Sequence, residues 1–108
     1  MMTLREIRNE FGVSRRAVQG YEKAGLVSPS GQNKYGYLLY DEKALERIRS
    51  VKQYQDFGFS LKEIQVLVVA TDDIYIEMMS EKVAKMKSQI LNLQENIQIA
   101  EHLIANKR

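Results

Sequence analysis

Residues 3–40 read TLREIRNEFGVSRRAVQGYEKAGLVSPSGQNKYGYLLY, and this stretch decides the fold. Thr3 followed three residues on by Glu6 is a capping box, in which the Thr hydroxyl accepts from the Glu6 N–H and the Glu6 side chain reaches back to the N–H of Thr3. A helix therefore starts after Thr3. Leu4, Ile7 and Phe11 follow at helical spacing, and Gly12 supplies the left-handed residue that stops it. Ser14 caps a second helix. Its outward positions Arg15, Arg16, Gln19 and Lys23 recur every three or four residues, with Val13, Ala17, Val18, Tyr21 and Ala24 turned inward. Gly25 ends this helix. From Ser28 to Tyr40, Pro29, Gly31, Asn33 and Gly36 mark turns, while Tyr35, Tyr37, Leu38, Leu39 and Tyr40 favour extended structure, which predicts a short β-hairpin.

Two short helices joined by a tight turn bury little apolar surface, so they need a third helix beneath them. Asp41 opens one, carrying Ala44, Leu45, Ile48, Val51 and Tyr54 and ending at Phe57-Gly58. Ser60 and Glu63 form a second capping box ahead of Leu61, Ile64, Leu67 and Val68. The pattern predicts a mainly α chain: a winged helix-turn-helix domain over residues 1–71, built to bind DNA, followed by a long C-terminal coiled-coil dimerisation helix over 72–108.

The long helix is read from its spacing. Ile76, Met79, Val83, Met86, Ile90, Leu93, Ile97, Ala100 and Ile104 alternate separations of three and four residues, with no Gly or Pro from Asp73 to Arg108. That is a coiled-coil seam, and its length suits a homodimer, because a lone helix with such a stripe is marginal and adhesive. Lys82, Lys87 and Glu101 are the charges on the flanking positions, too few to fix strand orientation.

Net charge is only +2 over 108 residues, so its distribution carries the argument. Residues 1–40 hold six basic side chains against three acidic, residues 41–71 five against five, and residues 72–108 five against six. The positive excess lies on the proposed DNA-binding third. No apolar run approaches the roughly 18 residues that cross a bilayer, and the N-terminus lacks the order of a secretory signal, so a cytoplasmic protein without membrane partners is expected. Zero cysteines exclude disulfides, thiolate metal sites and thiol nucleophiles. No enzyme, cofactor or metal site is expected. His102 stands beside Glu101, but neighbours on a helix face different directions. Met78, Met79 and Met86 read as seam packing rather than a soft-metal surface. Asp72 and Asp73 read as a helix start, since two carboxylates make a poor cation cage.

The DNA-binding candidates are Ser14, Arg15, Arg16, Gln19, Tyr21, Lys23, Lys34 and Tyr37. Arginines just past a helix cap in a helix-turn-helix reach base edges or phosphates, and the amide of Gln19 suits adenine. Tyr21 and Tyr37 each have two readings, a hydroxyl on a phosphate or a core ring with a wet tip. The dimerisation candidates are Ile76, Met79, Val83, Met86, Ile90, Leu93, Ile97 and Ile104.

Gly12-Val13-Ser14-x-Arg16 entering the second helix, Tyr21-Glu22-x-x-Gly25-Leu26 leaving it, Gly36-Tyr37-x-x-Tyr40, Leu45-Glu46-Arg47-Ile48 and Gly58-Phe59-Ser60-Leu61-x-Glu63-Ile64 together resemble the MerR family of bacterial transcription regulators. The resemblance spans roughly residues 2–71, and the long helix extends it. It implies a homodimer joined by an antiparallel coiled coil, bound to an inverted repeat between promoter elements, and bending and untwisting an overlong spacer so that RNA polymerase engages both. Most members add an effector pocket or a cysteine-bearing metal loop after the coil; the residues here hold neither, so a short form without an effector-binding domain is expected. Gln19, Gly20 and Leu38 stand where the family commonly has a basic residue, an aromatic or His, and Arg. Two alternatives stay open on the residues alone: a MerR-like protein-binding module such as a co-chaperone modulator, and a phage or recombination architectural protein.

Overall fold

The structure, a computed structural model, describes residues 1–108. It falls into two units, Met1–Val69 and Ala70–Arg108. In chain order the first unit holds β1 (Met2–Thr3), α1 (Leu4–Phe11), α2 (Arg15–Lys23), β2 (Gly31–Gln32), β3 (Leu38–Tyr40), α3 (Glu42–Asp56) and α4 (Leu61–Leu67). The second unit is α5 (Asp72–Ala105).

The helix starts follow local chemistry. Thr3 and Ser60 close full capping boxes with Glu6 and Glu63, and Asp41 accepts from the Ala44 N–H at 2.9 Å. Each such cap is worth about 1 kcal/mol. Gly12, at φ 65°, donates its N–H to the Arg8 carbonyl and turns the chain from α1 into the cap of α2. Thr71 is the N-cap of α5 without a side-chain bond, and Asp72 and Asp73 occupy the first turn, where the helix dipole favours carboxylates.

The hairpin is present, and it belongs to a larger sheet than the sequence predicts. β3 pairs antiparallel with β2 (Gly31 with Leu39, Gln32 with Leu38) and also with β1 (Met2 with Tyr40, Thr3 with Leu39), giving the order β1-β3-β2. The wing is thus stitched to the N-terminus of α1. Tyr35 and Tyr37 lie outside the strands, Tyr35 in the turn and Tyr37 just after it.

The core gathers under the helix-turn-helix. Ile7, Val18, Ile48, Val51 and Ile64, from all four helices, are fully buried beside Tyr21 and Tyr40. Burying one such aliphatic side chain contributes about 1.5–3 kcal/mol, so this cluster sets how α1 and α2 sit on α3 and α4. At the corner between α3 and α4, Tyr54 meets Phe57 and Phe59 edge-on, with ring centroids 6.5 and 6.3 Å apart. The Arg49 guanidinium lies 4.7 Å from the Phe11 ring and joins α3 to α1 on the outside.

By contrast, α5 buries none of its residues. Of the seam, Ile76, Val83, Ile90, Leu93, Ile97 and Ile104 are exposed and Met79 and Met86 half-buried. No helix is long and apolar enough to cross a membrane.

Candidate nucleic-acid interface

α2 differs from every other helix at its N-terminus. α1, α3, α4 and α5 carry Glu6, Glu42, Glu63 and the pair Asp72 and Asp73 in their first turns, each complementing the positive helix end. α2 has no acidic residue there and begins with Arg15 and Arg16 instead. Cations at the positive end of a helix dipole are unfavourable by a few tenths of a kcal/mol each, so the arrangement costs stability in the free protein. A phosphate placed there reverses the sign, because it meets free N–H groups, the dipole and two guanidinium groups together.

Ser14 caps this end, its Oγ accepting from the Ala17 N–H at 3.0 Å. The hydroxyl hydrogen is left to donate outward. Ser14, Arg15, Arg16, Gln19 and Lys23 are all exposed, and Val18 and Tyr21 are buried, so the outward and inward faces of α2 fall where helical spacing puts them. Neither arginine nor Lys23 takes part in an ion pair. Lys34 and Tyr37 are exposed on the wing, with Tyr37 at 65% of its full accessibility.

Of the two readings of Tyr21, the structure matches the core ring. It is 2% exposed, and its hydroxyl donates to Gln55 Oε1 at 2.7 Å, so it is a core residue with an internal partner. Burial first, and the nearby Asp56 charge second, hold its phenol above the ordinary pKa. Tyr40 is fully buried, and its hydroxyl donates to the Glu22 carboxylate. Burial raises this phenol strongly as well, reinforced by the hydrogen bond to Glu22 and by its charge.

A third tie escaped the sequence reading. The Gln65 side-chain amide on α4 donates to the Ala24 carbonyl at 2.7 Å, at the C-cap of α2. Tyr21, Glu22 and Ala24 therefore fasten the C-terminal turn of α2 to α3, to the wing strand and to α4, while its N-terminal turn stays open. A helix held at one end and solvent-facing at the other is suited to insertion into a groove. On α5, His102 is exposed, and nowhere do three His, Asp or Glu side chains gather to hold a metal ion.

Fold and interface together define a DNA-binding winged helix-turn-helix protein. Residues 2–70 match the MerR HTH family regulatory proteins and residues 45–102 match the MerR DNA-binding family, so the chain belongs to the MerR family of transcriptional regulators. A probable heavy metal-dependent transcriptional regulator of Haemophilus influenzae is 29% identical, over 94% of this chain and 84% of that protein. Among solved structures, HiNmlR, a MerR family regulator lacking the sensor domain and bound to promoter DNA, superposes with TM-score 0.69 at 23% identity, covering 95% of this chain and 86% of that one. The N-terminal part of MtaN, the Bacillus subtilis multidrug transporter activator, gives TM-score 0.67 at 24% identity over 91% of this chain and 95% of that one. These two likenesses describe the fold, and the family match assigns DNA-binding transcriptional regulation to this chain.

Proposed function

We propose that the regulator acts as a homodimer on an inverted-repeat promoter site, with Ser14, Arg15, Arg16, Gln19 and Lys23 entering the major groove and Lys34 and Tyr37 meeting the backbone. The carrying observation is the N-terminus of α2, where two arginines replace the acidic first turn of every other helix. The dimer is supported by α5, whose apolar heptad positions lie open along its length. Two copies paired on this seam present two recognition helices, and the symmetry of the pair sets the symmetry of the site. Bending and untwisting a promoter spacer would follow from holding two half-sites at once, phosphate contacts offsetting a deformation cost of a few kcal/mol. RNA polymerase is then the enzyme that reads the altered spacing.

The test is fluorescence anisotropy of the protein against the duplex upstream of its own gene and against a scrambled duplex, each across a salt series, with stoichiometry measured at saturation. Preference for the upstream duplex, a steep salt slope and two chains per duplex are expected. One chain per duplex at saturation overturns the dimeric reading, and equal affinity for both duplexes overturns promoter specificity.

A further inference from the structure

At the root of the wing, where β2 begins and β3 ends, the chain folds around an open cleft of about 420 Å³. Leu26, Val27 and Ala44 form its floor and are buried. Ser28, Pro29 and Ser30 make one rim, all exposed, and the first turns of α3 make the other. The first rim is fixed in place. Ser30 donates its N–H to the Leu39 carbonyl at 2.7 Å, and its Oγ accepts from the Asp41 N–H at 3.0 Å. Pro29 beside it has a locked φ. A surface held this way loses little chain entropy when it is occupied.

The α3 rim sorts its charges. Lys43 and Arg47, one helical turn apart and so on one face, line the cleft, and Glu42 and Glu46 do not. Both cations are exposed, and neither takes part in an ion pair. Asp41 is the one carboxylate on the walls, and its Oδ1 already accepts from the Ala44 N–H at 2.9 Å. Two cations against one engaged carboxylate leave the cleft positive. Like charges one turn apart on a helix repel, so the arrangement suits an anion supplied from outside.

Where the cleft lies decides what that anion is. It begins past the end of α2, a nine-residue helix about 13 Å long whose other end carries Arg15 and Arg16. It also sits at the opposite end of the wing from Lys34. None of the residues proposed to meet DNA lines it. A small molecule is enclosed over most of its surface in its site, which an open cleft does not do, whereas a peptide can lie along one.

We propose that this cleft is a docking site for an acidic peptide segment of a partner protein, with Lys43 and Arg47 pairing with its carboxylates and an apolar side chain resting against Pro29. Arg47 can hold a carboxylate through two parallel N–H bonds, and Lys43 through a compact ammonium. The choice of peptide over phosphate rests on the DNA interface proposed above; the positive charge of the cleft does not. The regulator would then hold a protein and a duplex on separate faces.

The test uses a fluorescein-labelled peptide of leucines set among glutamates, and a control with glutamine in place of every glutamate. Each is titrated into the full chain and into a variant combining Lys43→Ala with Arg47→Ala, shown to be folded by circular dichroism. The acidic peptide should bind the unmodified chain with an affinity that falls as salt rises, and the glutamine peptide should not bind. The double variant should bind the acidic peptide about tenfold more weakly. In isotope-labelled protein, the amide resonances that move should be those of residues 26–30 and 41–47. No binding of the acidic peptide, equal affinity for the double variant, or shifts confined to the first turn of α2 would each overturn the proposal. Duplex titrations supply the second arm. The double variant should keep the duplex affinity and salt slope of the unmodified chain; a slope flattened by about two units assigns Lys43 and Arg47 to phosphates and overturns the peptide reading. An unmodified chain that binds no duplex at any salt concentration defeats the DNA-binding reading alone, because the peptide titration and its resonance map are read without DNA.

Discussion

The hydroxyl of Tyr40, the last residue of the wing strand, donates to the carboxylate of Glu22 in the final turn of the recognition helix. This bond joins the two elements that the proposed DNA interface uses together. Tyr40→Phe keeps the buried ring and removes the donor. A hydrogen bond to a charged acceptor contributes about 1.5–3 kcal/mol, so urea unfolding should show a loss near the lower end, since Glu22 stays half-exposed and regains water. DNA affinity should fall while its salt slope is unchanged, because orientation is lost and no phosphate contact is. An unchanged affinity would show that the wing and the recognition helix act independently.

The arginines at the start of α2 predict opposite effects on stability and on binding. Arg16→Ala should leave the melting temperature unchanged or slightly raised, since it removes a cation from the positive end of a helix dipole. The same substitution should weaken DNA binding and flatten the salt slope by about one unit if Arg16 meets a phosphate. A drop in melting temperature matching the loss of affinity would instead mark Arg16 as structural.

Gly20 sits inside α2, yet nothing about its conformation requires glycine. Its φ is not positive, and a Cβ built there would lie 3.8 Å from Leu61 Cδ1, an ordinary van der Waals contact with α4. Gly20→Ala should therefore stabilise the domain by about 0.5–1 kcal/mol, through helix propensity and a less flexible unfolded chain. Chemical denaturation measures this directly. A destabilised variant would show that α2 needs the extra freedom or the open space at this position.

The buried phenols and the exposed caps predict where stability falls with pH. Tyr21 and Tyr40 are held above the ordinary value chiefly by burial, with Asp56 and Glu22 adding to it. Their contribution is complete below about pH 10, where unfolded tyrosine is still neutral, and is lost as pH rises past that value toward the folded ones. Asp41 runs the other way. The Ala44 N–H, ahead of the smaller Ser30 bond, holds its carboxyl below the ordinary range, so its contribution is present above about pH 4 and is lost as pH falls through the folded value. Urea midpoints followed across pH should drop at both ends. Asp41→Asn, which keeps a capping oxygen without a titrating group, should flatten the acid side, and Tyr40→Phe the alkaline side.

Helix starts and stops were legible because their chemistry is local. Thr3 and Glu6, Ser60 and Glu63, and Asp41 with Ala44 act across three residues, and Gly12 turns the chain by its own φ. The outward face of α2 was legible for the same reason. What escaped depends on distant partners. β1 is two residues long, too short to show alternation, and exists because Met2 and Thr3 meet Tyr40 and Leu39 far along the chain. The ring of Tyr21 was readable as half inward, but the fate of its hydroxyl turned on Gln55, and the role of Gln65 turned on a backbone carbonyl at Ala24. Neither glutamine stands out in a sequence, since an amide on a polar helix face looks like any solvated one.

The long helix carries the last prediction. Ile90 lies mid-seam on α5 and is 55% exposed, with Leu93 and Ile97 at 62% and 55% beside it. Ile90→Glu would place a carboxylate in the centre of an apolar seam, where pairing must either desolvate the charge or separate the helices. Sedimentation should therefore show a dimer for the unmodified chain and a monomer for the variant. Helix content should fall with it, because a 34-residue amphipathic helix draws most of its stability from packing. DNA affinity should fall by far more than any single phosphate contact accounts for, since two linked half-site contacts become one and the gain in effective concentration is lost. A variant that stays dimeric would place the pairing surface elsewhere on α5, and a monomer that binds the upstream duplex undiminished would make the single winged domain the functional unit.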